Sequence, residues 1–163
     1  MTAGRPLLHT ALVALALGIT WPARAGDLVA QSLETRDYPL ARQVVVEAIQ
    51  DEGLVLSGIS DFGDMLRRTD ADLDHGAGQR FRHAEVFAFC SVTVAATLVR
   101  ESADRIAYCP LTLALYQEKP GSPVRLTYRQ PGSPGPGGDA GRALLARIAA
   151  RIGDLLPLAS PAR

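Results

Sequence analysis

The N-terminal segment limits how much of this chain is available to fold. Residues 1–25 have the three parts of a secretory signal peptide in order: a basic region with Arg5, an apolar run over 11–19 and a small-x-small sequence at 23–25. The apolar run is shorter than the roughly 20 residues of a membrane span; a retained anchor is the main alternative. Removal of 25 of the 163 residues leaves 138, enough for one domain with a core. We therefore predict an exported protein, periplasmic or extracellular, without an integral membrane segment after cleavage.

The charge balance of the remaining chain restricts its partners. The full chain has 17 basic and 17 acidic residues, and the loss of Arg5 and Arg24 leaves 15 basic against 17 acidic residues. A net charge near −2 argues against a nucleic-acid partner or a polybasic membrane patch. The partners that remain open are a second copy of the chain, a small ligand and a periplasmic protein.

Periodicity over residues 26–130 predicts a single α+β domain. Alternating apolar residues are typical of strands, which we predict at 28–35, 54–59, 82–90, 111–118 and 124–129. Helical spacing predicts helices at 37–52, 62–68 and 91–102, the first capped by Asp37 and ended by Gly53. The order is β-α-β-(α)-β-α-β-β, so we expect a small mixed or antiparallel sheet with helices packed on one face. The last two strands should form a hairpin.

Two local assignments refine this pattern. Ser91 caps the helix at 91–102, whose buried stripe we predict to be Val92, Ala95, Ala96 and Val99. Residues 69–79 are polar and contain glycine, so they predict a surface loop. Its alternating aspartates do not match a calcium-binding loop, because His75 and Phe81 stand where the signature that starts at Asp70 requires Gly and Glu.

The C-terminal part of the chain is separated from this domain by a breaker-rich segment. Residues 131–138 form a predicted Pro/Gly linker, and 139–163 form an amphipathic helix and tail. The apolar side of the helix consists of Leu144, Leu145, Ile148, Ile152, Leu155 and Leu156. Such a helix can dock on its own domain, on a neighbouring copy or on a membrane surface.

Cys90 and Cys109 are the two cysteines of the chain, and in an oxidising compartment a disulfide is the default expectation. Strand geometry raises an objection. In a simple β-α-β unit the end of one strand and the start of the next lie at opposite edges of the sheet, too far for a Cα separation below about 7 Å. The pair comes together only if residues 106–109 run back along the sheet before Pro110.

Short motifs around the cysteines give a family resemblance. The sequences Phe-Cys-Ser at 89–91 and Tyr-Cys-Pro at 108–110, with a helix between them and the strand at 124–129 after them, resemble the bacterial domain-of-unknown-function family 302. The resemblance covers about 37–131, and the spacing of the two motifs is similar to that of the exported branch. It implies a compact α+β domain and no particular activity, and it leaves the C-terminal tail outside.

Three interpretations of the cysteine pair remain open. Cys90 and Cys109 can be a structural disulfide or a pair of buried thiols. They can also be a thiol-redox site, or they can be ligands of a metal or cofactor. His75, in the flexible loop, can reach such a metal site, whereas His83 has the wrong strand parity. A helix N-terminus after Cys90 favours a thiolate there. No specific cofactor is indicated.

Enzyme motifs with a known mechanism are absent from the sequence. It contains no G-x-S-x-G elbow, no H-E-x-x-H helix and no phosphate-binding glycine loop, so no catalytic residue is assigned. Ser91, Tyr108 and Tyr116 are candidate ligand-binding residues, since the tyrosines can line a pocket. We expect an exported, non-catalytic domain that binds a small ligand, a metal or a protein. The alternative is a thiol-redox protein that uses Cys90 and Cys109.

Overall fold

The structure is a computed structural model that describes residues 28–73, 76 and 79–159. Its elements in chain order are β1 (Leu28–Ser32), α1 (Tyr38–Asp51), β2 (Leu56–Asp61), α2 (Phe62–Leu73), β3 (His83–Phe89), α3 (Val92–Glu101), a 3₁₀ helix (Ala103–Tyr108), β4 (Leu111–Gln117), β5 (Arg125–Arg129) and α4 (Pro136–Ala159). This order confirms the predicted succession of strands and helices. The predicted signal peptide and His75 lie outside the described residues.

The strands form one antiparallel sheet, which confirms the α+β fold class. Five strands pair in the order β1-β5-β4-β3-β2, and every neighbouring pair runs antiparallel. The predicted hairpin is β4–β5, in which Leu115 lies opposite Leu126. Because side chains alternate along a strand, this register places Leu113, Leu115, Leu126 and Tyr128 on one buried face of the sheet.

Helices α1, α3 and α4 cover that face and form the hydrophobic core with it. Helix α1 begins as predicted, because the Asp37 carboxylate accepts a hydrogen bond of 3.0 Å from the Leu40 amide. It ends at Asp51, two residues before Gly53, whose φ of 71° lies in the left-handed region that glycine adopts without strain. Val45 and Ile49 of α1 are fully buried.

Helix α3 has the predicted cap at Ser91, but its predicted buried stripe is wrong. Val94 and Leu98 are the buried residues, while Val92 is 81% exposed and Val99 is 41% exposed. Apolar residues occupy both sides of this helix, so spacing alone could not choose the side. The close approach of α4, where Gly137 lies against the backbone of Leu98, determines which side is buried.

Helix α2 is longer than predicted and includes part of the segment that we predicted as a surface loop. It continues through Asp70 and ends at Leu73. The Asp61 carboxylate caps the helix by accepting a hydrogen bond of 2.8 Å from the Asp64 amide. Asp64 also pairs with Arg67 and Arg68 at helical spacing. These local interactions stabilise a polar helix that composition alone suggested was a loop.

Helix α4 begins at Pro136, inside the segment 131–138 that we predicted to be a linker. The amide of Gly137 donates a hydrogen bond of 2.8 Å to the Glu101 carboxylate, which suits the positive end of the helix dipole. The apolar side is buried against α1 and α3, so the helix docks on its own domain. Ion pairs from Arg147 to Glu52 and from Arg151 to Asp51 flank the contact with α1. In the part of the chain that the structure describes, no helix has the length and apolarity of a membrane span.

The contact between α3 and α4 leaves no room for a side chain at Gly137. A Cβ there would lie 2.9 Å from the Cα and the amide nitrogen of Leu98, so we expect Gly137→Ala to lower the free energy of unfolding by about 1–3 kcal/mol. Gly153 is a matched control in the same helix, because a Cβ there meets nothing within 4 Å; Gly153→Ala should raise stability by about 0.5–1 kcal/mol. Thermal and urea denaturation measure both changes. Equal effects of the two substitutions would contradict this account of the helix contact.

Candidate functional site

The two cysteines meet at one end of the sheet. Phe89, the last residue of β3, pairs with Leu111, the first residue of β4, and Cys90 and Cys109 lie just beyond this pair. The two side chains are 4.0 Å apart and are not joined by a disulfide. The 3₁₀ helix after α3 returns the chain before Pro110, so the objection that the pair lies at opposite edges of the sheet is wrong. The disulfide that we expected by default is not formed, and the pair is present as two thiols.

The two thiols differ in their surroundings. Cys90 is exposed, whereas Cys109 is half-buried and packs against the core. The Cys109 amide donates to the Ile106 carbonyl at 3.0 Å, and the Cys109–Pro110 peptide is cis. Burial raises the pKa of the Cys109 thiol, and the adjacent Cys90 raises it further. Cys90 is therefore the accessible member of the pair.

Of the candidate ligand-binding residues, Ser91 and Tyr108 lie beside the cysteines. The Ser91 hydroxyl is committed to local structure, because it accepts from the Val94 amide and shares a hydrogen bond of 3.0 Å with Thr93. Tyr108 ends the 3₁₀ helix and packs partly buried against the core. Tyr116 lies at the opposite end of β4. The structure therefore does not bring the three residues into one site.

A metal site at the cysteines stays a prediction. Within residues 28–73, 76 and 79–159, the structure contains no group of three or more His, Cys, Asp and Glu side chains placed to hold a metal. His83 stacks on Tyr38 with ring centroids 4.6 Å apart, on the face predicted by its parity. His75, the histidine that we considered as a ligand with Cys90 and Cys109, lies outside the described residues.

Tyr116 lines a groove on the sheet face that α1, α3 and α4 do not cover. The groove has a volume of about 380 Å³. Its aromatic wall is formed by Phe62, Phe81 and Tyr116, and Phe81 meets Tyr116 edge to face at 5.5 Å. Small residues form its floor, namely Ala84, Val86, Ala114 and Thr127. The arrangement suits the apolar body of a small molecule.

The groove continues into a polar depression that shares Phe81 and Glu118 with it. Basic side chains in this region are Arg67, Arg80, Arg82 and Lys119. Arg80 pairs with Glu118 at 3.1 Å, and Arg67 pairs with Asp64 at 3.6 Å. Asp70 also lines the depression, so its basic side chains exceed its acidic ones by three to two. One end of the groove is therefore suited to an anionic group.

A charged cluster at the edge of the core was not anticipated from the sequence. The Tyr38 hydroxyl lies 3.1 Å from Glu85 Oε2 and 3.2 Å from the Leu115 carbonyl oxygen, and Arg42 Nε donates to the same carboxylate at 2.9 Å. Burial raises the pKa of Tyr38, and the Glu85 carboxylate raises it further. Burial lowers the pKa of His83, as do Arg82 and Arg67. The signal in the sequence is that His83 and Glu85 share strand parity with two buried phenylalanines.

Sequence comparison identifies the family. The profile of the family described as "Domain of unknown function DUF302" matches residues 31–152. The chain belongs to this family. The matched region of this DUF302 protein exceeds the 37–131 that the motifs indicate, and it includes most of α4, which the resemblance left outside. No curated protein matches the chain significantly.

A solved structure shares the fold. The crystal structure of an uncharacterized conserved DUF302 protein from Bacillus stearothermophilus is similar with a TM-score of 0.55 at 16% sequence identity. The match covers 82% of this chain and 98% of the other. At this identity the similarity establishes the α+β architecture, while the site residues rest on the geometry described above.

The buried hydroxyl of Tyr38 should make stability sensitive to alkaline pH. Its folded pKa is raised above the ordinary value of about 10, so the stabilisation is complete below pH 10 and is lost as the pH rises above it. Tyr38→Phe should lower the free energy of unfolding by about 1–3 kcal/mol at neutral pH, because Glu85 loses a donor. The same substitution should also reduce the fall in the free energy of unfolding above pH 10.

Urea denaturation across pH 8 to 11 measures both effects, with Tyr116→Phe as the control. Burial also raises the pKa of Tyr128, so a smaller alkaline decline should remain in Tyr38→Phe. An unchanged decline would contradict the assignment to Tyr38.

Proposed function

We propose that the protein is an exported, non-catalytic domain that binds a small, largely apolar molecule carrying one anionic group. The observation that carries this proposal is the groove of about 380 Å³ on the sheet face opposite α1, α3 and α4. Its volume lies within the range of small-molecule sites, and its lining is aromatic and aliphatic with a few polar groups at the edge.

The chemistry of the ligand follows from the two ends of the groove. Flat apolar groups pack well between aromatic side chains and a floor of small residues, which favours a planar or short aliphatic body. Arg67, Arg82 and Lys119 lie in the adjoining depression together with Asp70 and Glu118, so basic side chains are in excess there. A carboxylate, sulfonate or phosphate in that position gains charge-assisted hydrogen bonds.

The exported location of this function rests on the N-terminal segment. Residues 1–25 have the order of charge, apolar run and cleavage sequence that signal peptidase requires. We therefore propose a location in the periplasm or outside the cell.

The groove proposal is tested with anilinonaphthalene sulfonate, whose rings and sulfonate match the two ends of the groove. The folded protein should bind one dye molecule with enhanced fluorescence. Ala114→Phe should weaken the dye's Kd at least about tenfold by filling the groove, a loss of about 1.4 kcal/mol. Ala88→Phe is the matched control, because Ala88 lies on the same sheet face but outside the groove.

The charged end of the groove has its own control. The double variant Arg82→Gln and Lys119→Gln should weaken binding of the sulfonate dye but not of uncharged phenylnaphthylamine.

Equal weakening by the Ala114 and Ala88 variants would overturn the proposal. So would dye binding that disappears as the protein dimerises with increasing concentration, since this would assign the face to a second copy.

The distance between Cys90 and Cys109 favours a second candidate function, a thiol-redox protein. Two sulfurs 4.0 Å apart need to approach by about 2 Å to form a disulfide bond. Cys90 is exposed and accessible to an oxidant. The loop that the bond would close runs from residue 90 to 109, for which the chain-entropy estimate is a stabilisation of about 3 kcal/mol.

Alkylation and intact-mass measurement test this candidate. Oxidised glutathione should make both thiols unreactive toward iodoacetamide by forming one internal disulfide, and dithiothreitol should restore both. In Cys109→Ser, which has no partner thiol, Cys90 should retain glutathione instead. If both thiols of the wild-type protein remain alkylatable after oxidation, the redox candidate fails. A mass excess that chelation removes would support the metal-ligand interpretation.

A further inference from the structure

Exposed apolar residues lie close to the thiol pair along the chain or in the strand register. Val92 and Val55 are each 81% exposed and Ile106 is 67% exposed, higher than most other exposed large hydrophobics of the described residues. We call these three residues the thiol collar. Each is placed next to the pair: Val92 follows Cys90 by two positions, and the Ile106 carbonyl accepts from the Cys109 amide. Val55 precedes Leu56, which pairs with Phe89 at the end of β3.

We propose that the thiol pair exchanges with disulfides in polypeptides, with Cys90 as the attacking cysteine and Cys109 as the resolving cysteine. The inference rests on the second candidate function, because it assigns roles and a substrate class to that site. The exposure of Cys90 and the burial of Cys109 distinguish the two roles. An incoming disulfide reaches the exposed Cys90 first. Cys109 lies 4.0 Å away, close enough to attack the mixed disulfide once it has formed on Cys90.

The exchange balances without another reactant. The Cys90 thiolate attacks one sulfur of the substrate disulfide, so the substrate S–S bond breaks, a mixed disulfide forms and the first substrate thiolate leaves. The Cys109 thiolate then attacks the Cys90 sulfur, which forms the Cys90–Cys109 bond and releases the second substrate thiolate. Two electrons pass from the protein to the substrate, and the two protons of the protein thiols end on the substrate thiols.

The thiol collar indicates the class of disulfide. Glutathione disulfide is charged and polar, and it gains little from apolar neighbours. A polypeptide disulfide is flanked by backbone and side chains that can cover Val55, Val92 and Ile106, and burying this apolar surface favours the complex. Both substrates react through a disulfide bond. The apolar residues of the thiol collar favour the polypeptide disulfide over glutathione disulfide.

The roles are tested by trapping. Reduced Cys109→Ser, incubated with a peptide that contains one internal disulfide, should accumulate a mixed disulfide on Cys90 that peptide mapping identifies. Cys90→Ser should form at least about tenfold less adduct in the same time, since its remaining thiol is half-buried. Adduct mainly on Cys109 would overturn the assignment. In the wild-type protein, faster iodoacetamide labelling of Cys109 than of Cys90 would also overturn it, and this measurement needs no variant.

The substrate class is tested with collar variants. Val92→Ser and Ile106→Ser should each slow exchange with the peptide by about tenfold, in line with the apolar area lost, and should leave exchange with glutathione disulfide unchanged. Met65→Ser is the matched control, because Met65 is 39% exposed on α2, which follows the end of β2 that lies far from the pair. If the wild-type protein exchanges with both disulfides and the collar variants change neither rate, the polypeptide class is wrong while the redox candidate stands. If it exchanges with neither disulfide, both are wrong.

Discussion

The pairing of β3 with β4 fixes the positions of both candidate sites. The register runs without interruption from His83 opposite Gln117 to Phe89 opposite Leu111. Side-chain alternation along these strands sends one set of residues into the core and the other to the opposite face of the sheet. The core face receives α1, α3 and α4, and the other face receives α2 and the groove beside it. At the end of the same ladder, the residues just beyond each strand are Cys90 and the segment of Cys109 and Pro110. A shift of one residue would exchange the two faces and separate these features.

The groove and the thiol pair lie at opposite ends of this ladder. Tyr116 pairs with Ala84 near one end, and Leu111 pairs with Phe89 at the other. Five residues along a strand correspond to roughly 16 Å, so the sites share a sheet but no side chains. Substitutions at the two sites should therefore have nearly additive effects on the free energy of unfolding. The ligand that we propose for the groove and the thiol chemistry that we propose for the edge would therefore not interfere sterically with each other.

Local signals in the sequence were sufficient where a single element determines the outcome. Asp37 and Gly53 define the ends of α1, and strict alternation defines β4, because caps and strand periodicity act within a few residues. Features that depend on distant segments were not predictable. The side of α3 that is buried depends on Gly137, and the distance between the cysteines depends on the turn that the 3₁₀ helix makes. The cluster of Tyr38, Arg42 and Glu85 joins α1 to β3 across 43 to 47 positions of sequence, a contact that no local pattern encodes.

The irregularity in β2 has a consequence for how the molecule behaves at high concentration. β2 is an edge strand, and its register with β3 shifts between Leu56 and Gly58. A regular edge offers a continuous row of amide and carbonyl groups on which another chain can add a strand, and a bulge interrupts that row. Beyond it, Ser60 and Asp61 continue the edge with polar side chains. The β2 edge thus discourages the addition of a strand from another molecule and the fibril-like stacking that would follow.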